Sequence, residues 1–347
     1  MKCTIIPRPM LERMAERAPD ARKREIARNS IEIDDEQRGL RAVRQQEAAP
    51  IIPRRVTGDE QPDRTIYDAE TRRQLPGTER RREGAGPTGD EDVDRAYDWS
   101  GITFDFFLKV YDRDSIDGAG LPLDSTVHYG REYANAFWNG SQMVYGDGDG
   151  EMFTSLTGPL EVSAHELTHG VTQYTAGFEY EGQSGALNES MSDVFGVLVR
   201  QYHLGHSARQ ATWLIGENLL APAVQGVALR SMKAPGTAYD DDVIGKDPQP
   251  AHMSDFVRTE ADNGGVHINS GIPNHAFYLL AVALDEPAWE RAGRVWYDTL
   301  TGGKLSKHAE FADFAAATIA SSEERYGMDG PVARAVRDAW TQVGVPT

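Results

Sequence analysis

Two histidines four residues apart, His165 and His169, constrain the fold of this 347-residue chain more than any other feature. The chain after Gly158-Pro159 predicts a helix over residues 160–175, and positions i and i+4 of a helix share one face. Both imidazoles can therefore reach one metal ion. Glu166 follows the first histidine, which places its carboxylate beside such an ion, where a base can act on metal-bound water.

The histidine pair alone leaves two interpretations open, because the motif has only three fixed positions. It predicts either a metal site or two surface histidines on a polar helix face. A second helical pattern supports the metal site, since Glu189 can supply a third ligand there. Asp193, four residues later on the same face, can hold the far nitrogen of a ligand histidine. Apolar neighbours indicate that this helix is buried, and buried carboxylates need a partner such as a metal.

The charge of the chain excludes several classes of function. The formal net charge is −18, so a nucleic-acid-binding surface is not expected. One cysteine excludes a disulfide framework, and no apolar run approaches the length of a membrane span. Residues 1–55 carry a net charge of +4 and the remaining 292 residues −22, which indicates separate units of opposite sign. A solvated basic tail is the alternative.

The chain divides into three parts by composition. Residues 10–29 and 34–46 read as charged helices, the first interrupted at Pro19, and a linker rich in proline and glycine follows from Ala49 to Asp63. Three alternating apolar segments read as strands of a twisted antiparallel sheet. They are Ile102–Phe107, Ser125–Tyr129 and Gln142–Tyr145. The chain from Gly185 onward reads as mainly helical, with apolar spacing clearest at 187–202, 274–285 and 308–322.

Three long strings point to a known family. They are Asn135–Gly140, Val144–Gly150 and Gly264–Gly271. Together with His165-Glu166-x-x-His169 and the downstream Glu189, they resemble the thermolysin-like zinc metallopeptidases of the gluzincin type. The similarity runs from about Arg64 to Val345.

The resemblance implies a role for each matching residue. His165, His169 and Glu189 match the ligands of one catalytic zinc ion, and Glu166 matches the base that passes a proton from water to the leaving amine. His267 matches the histidine that stabilises the oxyanion. Further matching positions are Asp262, which orients His267, and Tyr180, the second oxyanion donor.

Substrate-binding positions also follow from the resemblance. Asn135 and the carbonyl of Ala136 match groups that hold the substrate backbone as an added strand. Arg230 matches the arginine that binds the carbonyl just beyond the scissile bond. The pocket for the residue after the cut matches Phe153, Leu156, Val162, Ile215 and Leu229. All five are apolar, which predicts cleavage before bulky hydrophobic residues, although ordinary core positions would look the same.

The sequence departs from extracellular relatives at the calcium positions. The double site matches Glu161, Arg200, Thr212, Leu214 and Glu217, and a peripheral site matches Leu220, Ala221 and Val227. Calcium needs 6–8 oxygen ligands with anionic ligands prominent, and Arg200 brings a cation instead. We expect both sites to be lost, with Arg200 pairing to Glu161 or Glu217.

The first 55 residues resemble the short pro-segment of the protealysin-like branch of the family. This resemblance predicts an inhibitory segment that acts on its own chain and is removed by cleavage in the linker, with Val56 favoured over Ile51 and Ile52. Cys3 is either a thiolate switch on the zinc or a small buried anchor. No standard signal peptide is present, so export by another route and a cytoplasmic location both stay open.

The predicted fold is α+β and two-lobed. An N-terminal lobe with a twisted antiparallel sheet spans residues 56–178 and includes the histidine helix, and a mainly helical lobe spans 179–347, with the zinc cleft between them. We expect a monomeric endopeptidase acting on protein or peptide substrates, with neither nucleic-acid nor membrane partners. Two rivals are a catalytically silent binding module, which would usually have lost Glu166 or a ligand, and an aminopeptidase, for which no amine-anchoring motif is evident.

Overall fold

A computed structural model describes residues 4–46 and 61–347 of the chain, with side chains for 4–37 and 61–347. Cys3 and the favoured linker residues Ile51, Ile52 and Val56 lie outside the described residues. No helix in the described ranges is long and apolar enough to cross a membrane.

The N-terminal lobe is built on a five-stranded sheet. Its strands are β1 (Arg64–Asp68), β2 (Thr78–Arg82), β3 (Leu123–Val127), β4 (Ala136–Trp138) and β5 (Met143–Tyr145). The spatial order is β2-β1-β3-β5-β4. β1 and β3, and likewise β3 and β5, pair in parallel, while the two outer pairs are antiparallel. The prediction of an antiparallel sheet is therefore wrong in part, because long connections between these strands permit parallel pairing.

The segment Ile102–Phe107 is helical and not a strand. It lies within α3 (Glu91–Tyr111), which begins at Asp90, whose side chain accepts hydrogen bonds from the backbone N–H groups of Asp92 and Val93. Most aromatic residues of α3 are buried where the helix packs on β1, β3 and the histidine helix α4 (Leu160–Gln173). Burial on several sides gives a run that looks like a strand.

The C-terminal lobe is mainly helical. It contains α5 (Gly182–Leu204), α6 (Asp262–Asn269), α7 (Gly271–Leu284), α8 (Arg291–Thr301), α9 (Phe311–Tyr326) and α10 (Pro331–Gln342). Two short hairpins precede α6, formed by β6 (Leu214–Ile215) with β7 (Arg230–Ser231) and by β8 (Asp240–Asp241) with β9 (Gly245–Lys246). The α+β, two-lobed fold is confirmed.

The N-terminal segment forms two helices that pack on the body of the protein. α1 (Arg8–Arg17) ends just before Pro19, and α2 (Ala21–Gln46) is continuous. Their apolar side chains belong to the same core as the rest of the chain, with Ile5, Leu11 and Met14 fully buried. Ion pairs add to this contact, among them Lys23 Nζ to Glu151 at 2.9 Å.

Candidate active site

Helices α4 and α5 bring three candidate ligands together. Gly196 permits their close approach, because a Cβ there would lie 2.7 Å from the carbonyl oxygen of Glu161 and 3.3 Å from the backbone nitrogen of His165. The Nε2 atoms of His165 and His169 are 3.1 Å apart. Each lies 3.5 Å from an oxygen of Glu189, and all three side chains are buried.

This donor set fits a zinc ion. With Zn–N distances of about 2.0–2.1 Å, two nitrogens in tetrahedral coordination stand about 3.3 Å apart, close to the observed separation of the histidine nitrogens. Glu189 Oε2 is buried without a hydrogen-bond partner among the described residues. A carboxylate oxygen facing two imidazole nitrogens in a buried site calls for a cation.

Outer residues fix the orientation of both histidines. Asp193 Oδ1 lies 2.8 Å from His165 Nδ1, as the spacing on α5 suggested. His169 Nδ1 lies 2.8 Å from Asn188 Oδ1 and 3.0 Å from the hydroxyl of Ser192. Sequence reasoning assigned no role to Asn188 or Ser192, although both lie on the same helix as Glu189 and within one turn of it. Such partners leave Nε2 of each histidine directed at the metal.

Asp193 also binds Arg230, which links a candidate metal ligand to a predicted substrate-binding residue. Arg230 donates to Asp193 from Nε at 2.9 Å and from Nη2 at 2.7 Å. Burial raises the pKa of Asp193, but the Arg230 and His165 charges outweigh it and lower this pKa to about 2. The carboxylate is therefore ionised throughout the neutral range.

The opposing charges of the site also shift the pKa values of His165 and Glu189. Burial lowers the pKa of His165, but Asp193 and Glu189 outweigh burial and raise it to about 9. Burial raises the pKa of Glu189, and the His267, His169 and His165 charges hold it well below its usual range. The electrostatics of the site therefore favour positive charge between these side chains.

Glu166 lies beside the histidine pair and is held by the edge of the sheet. Its Oε2 accepts a hydrogen bond of 3.0 Å from the backbone N–H of Trp138 in β4. Glu166 is fully buried. One atom each of Glu166, His165 and His169 lie within 4.8 Å of one another, so the carboxylate is close enough to act beside an ion held by the histidines.

Two donors converge on the opposite side of the cleft. His267 Nδ1 lies 2.6 Å from Asp262 Oδ1, and the hydroxyl of Tyr180 lies 3.3 Å from His267 Nε2. Burial lowers the pKa of His267, but Asp262 and Glu189 outweigh burial and raise it to about 9. Gly264 and Gly265 have positive φ angles of 80° and 79°, so a side chain at either position would be strained. This distortion of α6 lets Asp262 reach the ring of His267.

The five predicted pocket residues are all buried in the main hydrophobic core, which contains residues of both lobes and also Ile5 of the N-terminal segment. The pocket residues are Phe153, Leu156, Val162, Ile215 and Leu229. Val162 lies on α4 one turn before His165, and the backbone N–H of Leu229 donates to the carbonyl of Ile215. Arg230, whose guanidinium donates to the carbonyl of Ile5, directly follows Leu229 in the chain.

The start of the N-terminal segment lies against the groups predicted to hold substrate backbone. The N–H of Ile5 donates to the carbonyl of Ala136 at 3.2 Å, and the carbonyl of Ile5 accepts from Arg230 Nη1 at 3.1 Å. Ile6 exchanges two hydrogen bonds with the side-chain amide of Asn135, at 2.9 and 3.1 Å. The carbonyl of Thr4 lies 3.0 Å from His267 Nε2. Every group predicted to hold substrate backbone thus contacts residues 4–6.

A buried carboxylate of α2 supports this arrangement. Asp34 accepts hydrogen bonds from the hydroxyl of Tyr133 at 2.6 Å and from Nδ2 of Asn135 at 3.2 Å. Asp34 is 2 % exposed. Sequence reasoning gave it no function, since nothing local distinguishes it from the other acidic residues of a charged helix.

Arg200 lies among the residues at the calcium positions. Its guanidinium contacts Glu217 at 2.5 Å and Glu161 at 3.7 Å, and it donates to the hydroxyl of Thr212 at 3.3 Å. Burial raises the pKa of Glu161, and the nearby Arg200 charge opposes this rise. The guanidinium thus stands next to both carboxylates of the set.

The fold and this site define a thermolysin-like metallopeptidase, a hydrolase acting on peptide bonds, and the chain belongs to that family. Residues 59–173 match the family described as "Thermolysin metallopeptidase, catalytic domain", and residues 176–345 match "Thermolysin metallopeptidase, alpha-helical domain". The resemblance inferred from the sequence is confirmed.

Individual relatives are also similar over most of the chain. An "Extracellular metalloprotease" of Pectobacterium carotovorum subsp. carotovorum is 56 % identical over 285 residues, which is 82 % of each chain. "Protease PrtS" of Photorhabdus sp. (strain Az29) is 50 % identical over 81 % of this chain and 76 % of its own. The solved "Precursor of Protealysin, Metalloproteinase from Serratia proteamaculans" is 50 % identical, covers 99 % of both chains and has a TM-score of 0.89.

Proposed function

We propose that the chain is the precursor of a zinc-dependent endopeptidase that cleaves on the amino side of bulky hydrophobic residues. One observation carries the proposal: residues 4–6 lie along the predicted substrate-binding groups, with the Thr4 carbonyl at His267 beside the candidate zinc ligands. In this register the Thr4–Ile5 peptide occupies the position of a scissile bond. Ile5, which is fully buried, is the residue after the cut.

His165, His169 and Glu189 would hold the zinc ion, with a fourth position open to the reaction. Zinc bound there polarises a carbonyl and lowers the pKa of water to about 7. Glu166 accepts the proton of the attacking water and delivers it to the leaving amine. Its backbone partner, the N–H of Trp138, keeps the carboxylate in place for both transfers.

His267 and Tyr180 stabilise the charge that develops on the carbonyl oxygen. His267 Nε2 already contacts the carbonyl oxygen of Thr4, and Asp262, which accepts from Nδ1 and helps to raise the pKa of His267 to about 9, favours the doubly protonated ring that donates from Nε2 as well. Removing one such donor typically lowers the rate by roughly 10²–10³. Arg230 and Asn135 hold the backbone on the other side of the bond.

Residues 1–55 act as the inhibitory pro-segment of this precursor. The segment blocks the cleft by occupying it in the direction of a substrate, and cleavage in the linker between Ala49 and Asp63 separates it from the catalytic lobes of residues 56–178 and 179–347. The Pectobacterium relative is an extracellular metalloprotease, and this similarity supports action outside the cell.

An internally quenched peptide with blocked ends and a central isoleucine tests the function. The full chain, loaded with zinc and allowed to mature, should cleave this peptide before isoleucine, and Glu166→Gln should bind zinc but lose nearly all activity. Glu324→Gln, an exposed glutamate paired with Lys304, is the matched control and should retain activity. Cleavage only of peptides with a free amine would indicate an aminopeptidase, and zinc binding without cleavage would indicate a silent binding module.

A further inference from the structure

Gln249 is a buried side chain that the mechanism above does not use. It lies between β9 and α6 and is 5 % exposed. Its Nε2 donates to the carbonyl of His267 at 2.8 Å and to the hydroxyl of Ser270 at 3.1 Å. A carbonyl can only accept, so this contact fixes which end of the amide is the donor. Oε1, the other end, has no hydrogen-bond partner among the described residues.

The unpaired oxygen belongs to a residue that lines a small cavity beside the active site. The cavity has a volume of about 60 Å³ and is also lined by Pro7, Met10, Arg230, Ile244 and His267. The N-terminal segment closes it with Pro7, Pro9, Met10 and Arg13, and Arg13 Nη1 donates to the carbonyl of Ile244 at 3.4 Å. Pro7 and Pro9 have no backbone N–H, and the thioether of Met10 cannot donate.

The direction of the bound chain explains what would meet Gln249 in a substrate. Ile5 and Ile6 are the first and second residues after the candidate scissile bond, so Pro7 is the third. Ile6 directs both its N–H and its carbonyl at Asn135. Pro7 has φ −61° and ψ 137° and lines the same cavity as Arg230 and Gln249, so an N–H at this position would lie at the cavity that holds the unpaired Oε1.

We propose that Gln249 is a substrate-binding residue whose Oε1 accepts a hydrogen bond from the backbone N–H of the third residue after the cut. Gln249 would favour peptides that have a backbone N–H at that position. Proline or an N-alkylated residue is disfavoured there, because neither has this N–H. The pro-segment places Pro7 at that position and leaves the acceptor unpaired. The inference rests on the proposed endopeptidase function.

The test compares peptides that differ by one methyl group. Two internally quenched peptides carry isoleucine at the first and second positions after the cut, with alanine or N-methylalanine at the third. A third peptide has the methyl group on the fifth residue instead. The matured zinc enzyme should cleave the third-position N-methyl peptide with a kcat/KM about tenfold lower, since a buried acceptor then stays unpaired. The fifth-position peptide should match its parent within twofold.

Variants separate this contact from the support that Gln249 gives His267. Gln249→Leu removes the acceptor and should reduce the alanine to N-methylalanine ratio to within twofold, whatever happens to overall activity. Gln249→Glu retains an acceptor and should keep the ratio. Gln201→Leu changes another buried glutamine without hydrogen-bond partners, on α5, and should leave the ratio at about ten.

Two results would overturn the inference. One is a kcat/KM ratio of the alanine to the N-methylalanine peptide that lies within twofold of one for the unaltered enzyme. This result would mean that the substrate N–H does not pair with Gln249. The other is an unchanged ratio in Gln249→Leu, which would mean that the methyl group acts sterically. Failure to cleave any of these peptides would instead contradict the proposed endopeptidase function.

Discussion

Asp193 connects the metal side of the cleft to the substrate side, and Asp193→Asn tests that connection. The carboxylate contacts Nδ1 of His165 at 2.8 Å, receives two hydrogen bonds from Arg230 and a third from Asn274 at 2.8 Å. Asp193 is fully buried and Arg230 is 2 % exposed. Asparagine keeps the shape but removes the charge, so the guanidinium becomes an unpaired buried cation.

The expected loss has two parts. Removing one partner of a buried ion pair costs about 3–5 kcal/mol in the free energy of unfolding. Loss of a partner behind a ligand histidine typically weakens metal binding by roughly 10–100-fold. With zinc in excess over both dissociation constants, that weakening lowers the stability of the zinc-loaded protein by about a further 1.4–2.7 kcal/mol.

Urea unfolding with zinc and with a chelator separates these parts, and competition with a fluorescent chelator gives the zinc affinity. All samples carry Glu166→Gln so that the full chain stays intact. Asp285→Asn is the matched control, because Asp285 pairs with Arg209 at the exposed end of α7. Its φ of 53° is one that asparagine tolerates, so this variant should lose less than about 1 kcal/mol.

A loss below about 1 kcal/mol for Asp193→Asn in chelator would refute the argument from the buried pair. An unchanged zinc affinity with a large loss of stability would show that Asp193 serves Arg230 and not the metal ligand.

Two other predictions concern calcium and latency. Millimolar calcium should shift the melting temperature by less than about 1 °C, because the Arg200 guanidinium lies beside Glu161 and Glu217 at the calcium positions. If calcium did bind, a hundredfold excess over its Kd would stabilise the protein by about 2.7 kcal/mol and raise the melting temperature by several degrees. Ile5→Ala should raise the peptidase activity of the uncleaved precursor roughly 30-fold, which corresponds to about 2 kcal/mol of lost burial. Glu16→Ala, a change at an exposed residue, should leave this activity unchanged. Equal activities of the two variants would contradict the placement of Ile5 in the cleft.

The metal centre was accessible to sequence reasoning because its geometry is local. His165 and His169 are one helical turn apart, and Glu189 and Asp193 are one turn apart on the next helix. The period of the helix alone therefore places each pair on one face. Only the packing of the two helices had to be supplied, and the apolar neighbours of Glu189 indicated it.

Strand pairing was less accessible because it joins distant parts of the chain. The parallel pairing of β1 with β3 depends on the α3 connection between them, and the aromatic run inside α3 fits a strand as well as a buried helix. Asp34 illustrates the same limit. Asp34 is distinguished from other acidic residues only by its contacts with Tyr133 and Asn135, which lie about a hundred positions further along the chain.

The latency of the precursor and the specificity of the enzyme depend on the same residues, because the pro-segment binds to the groups proposed to hold the substrate. Asn135, Ala136 and Arg230 would hold every substrate through its backbone, and they hold Ile5 and Ile6 in the same way. A change in the predicted pocket residues that alters the preferred residue after the cut should therefore also alter how tightly the pro-segment binds. Pro7 and Asp34 do not belong to this shared set. Pro7 has no N–H to donate to Gln249, and Asp34 accepts a hydrogen bond from Asn135 that a short peptide substrate would not provide. Latency can therefore be tuned through these two residues without changing which peptides are cleaved.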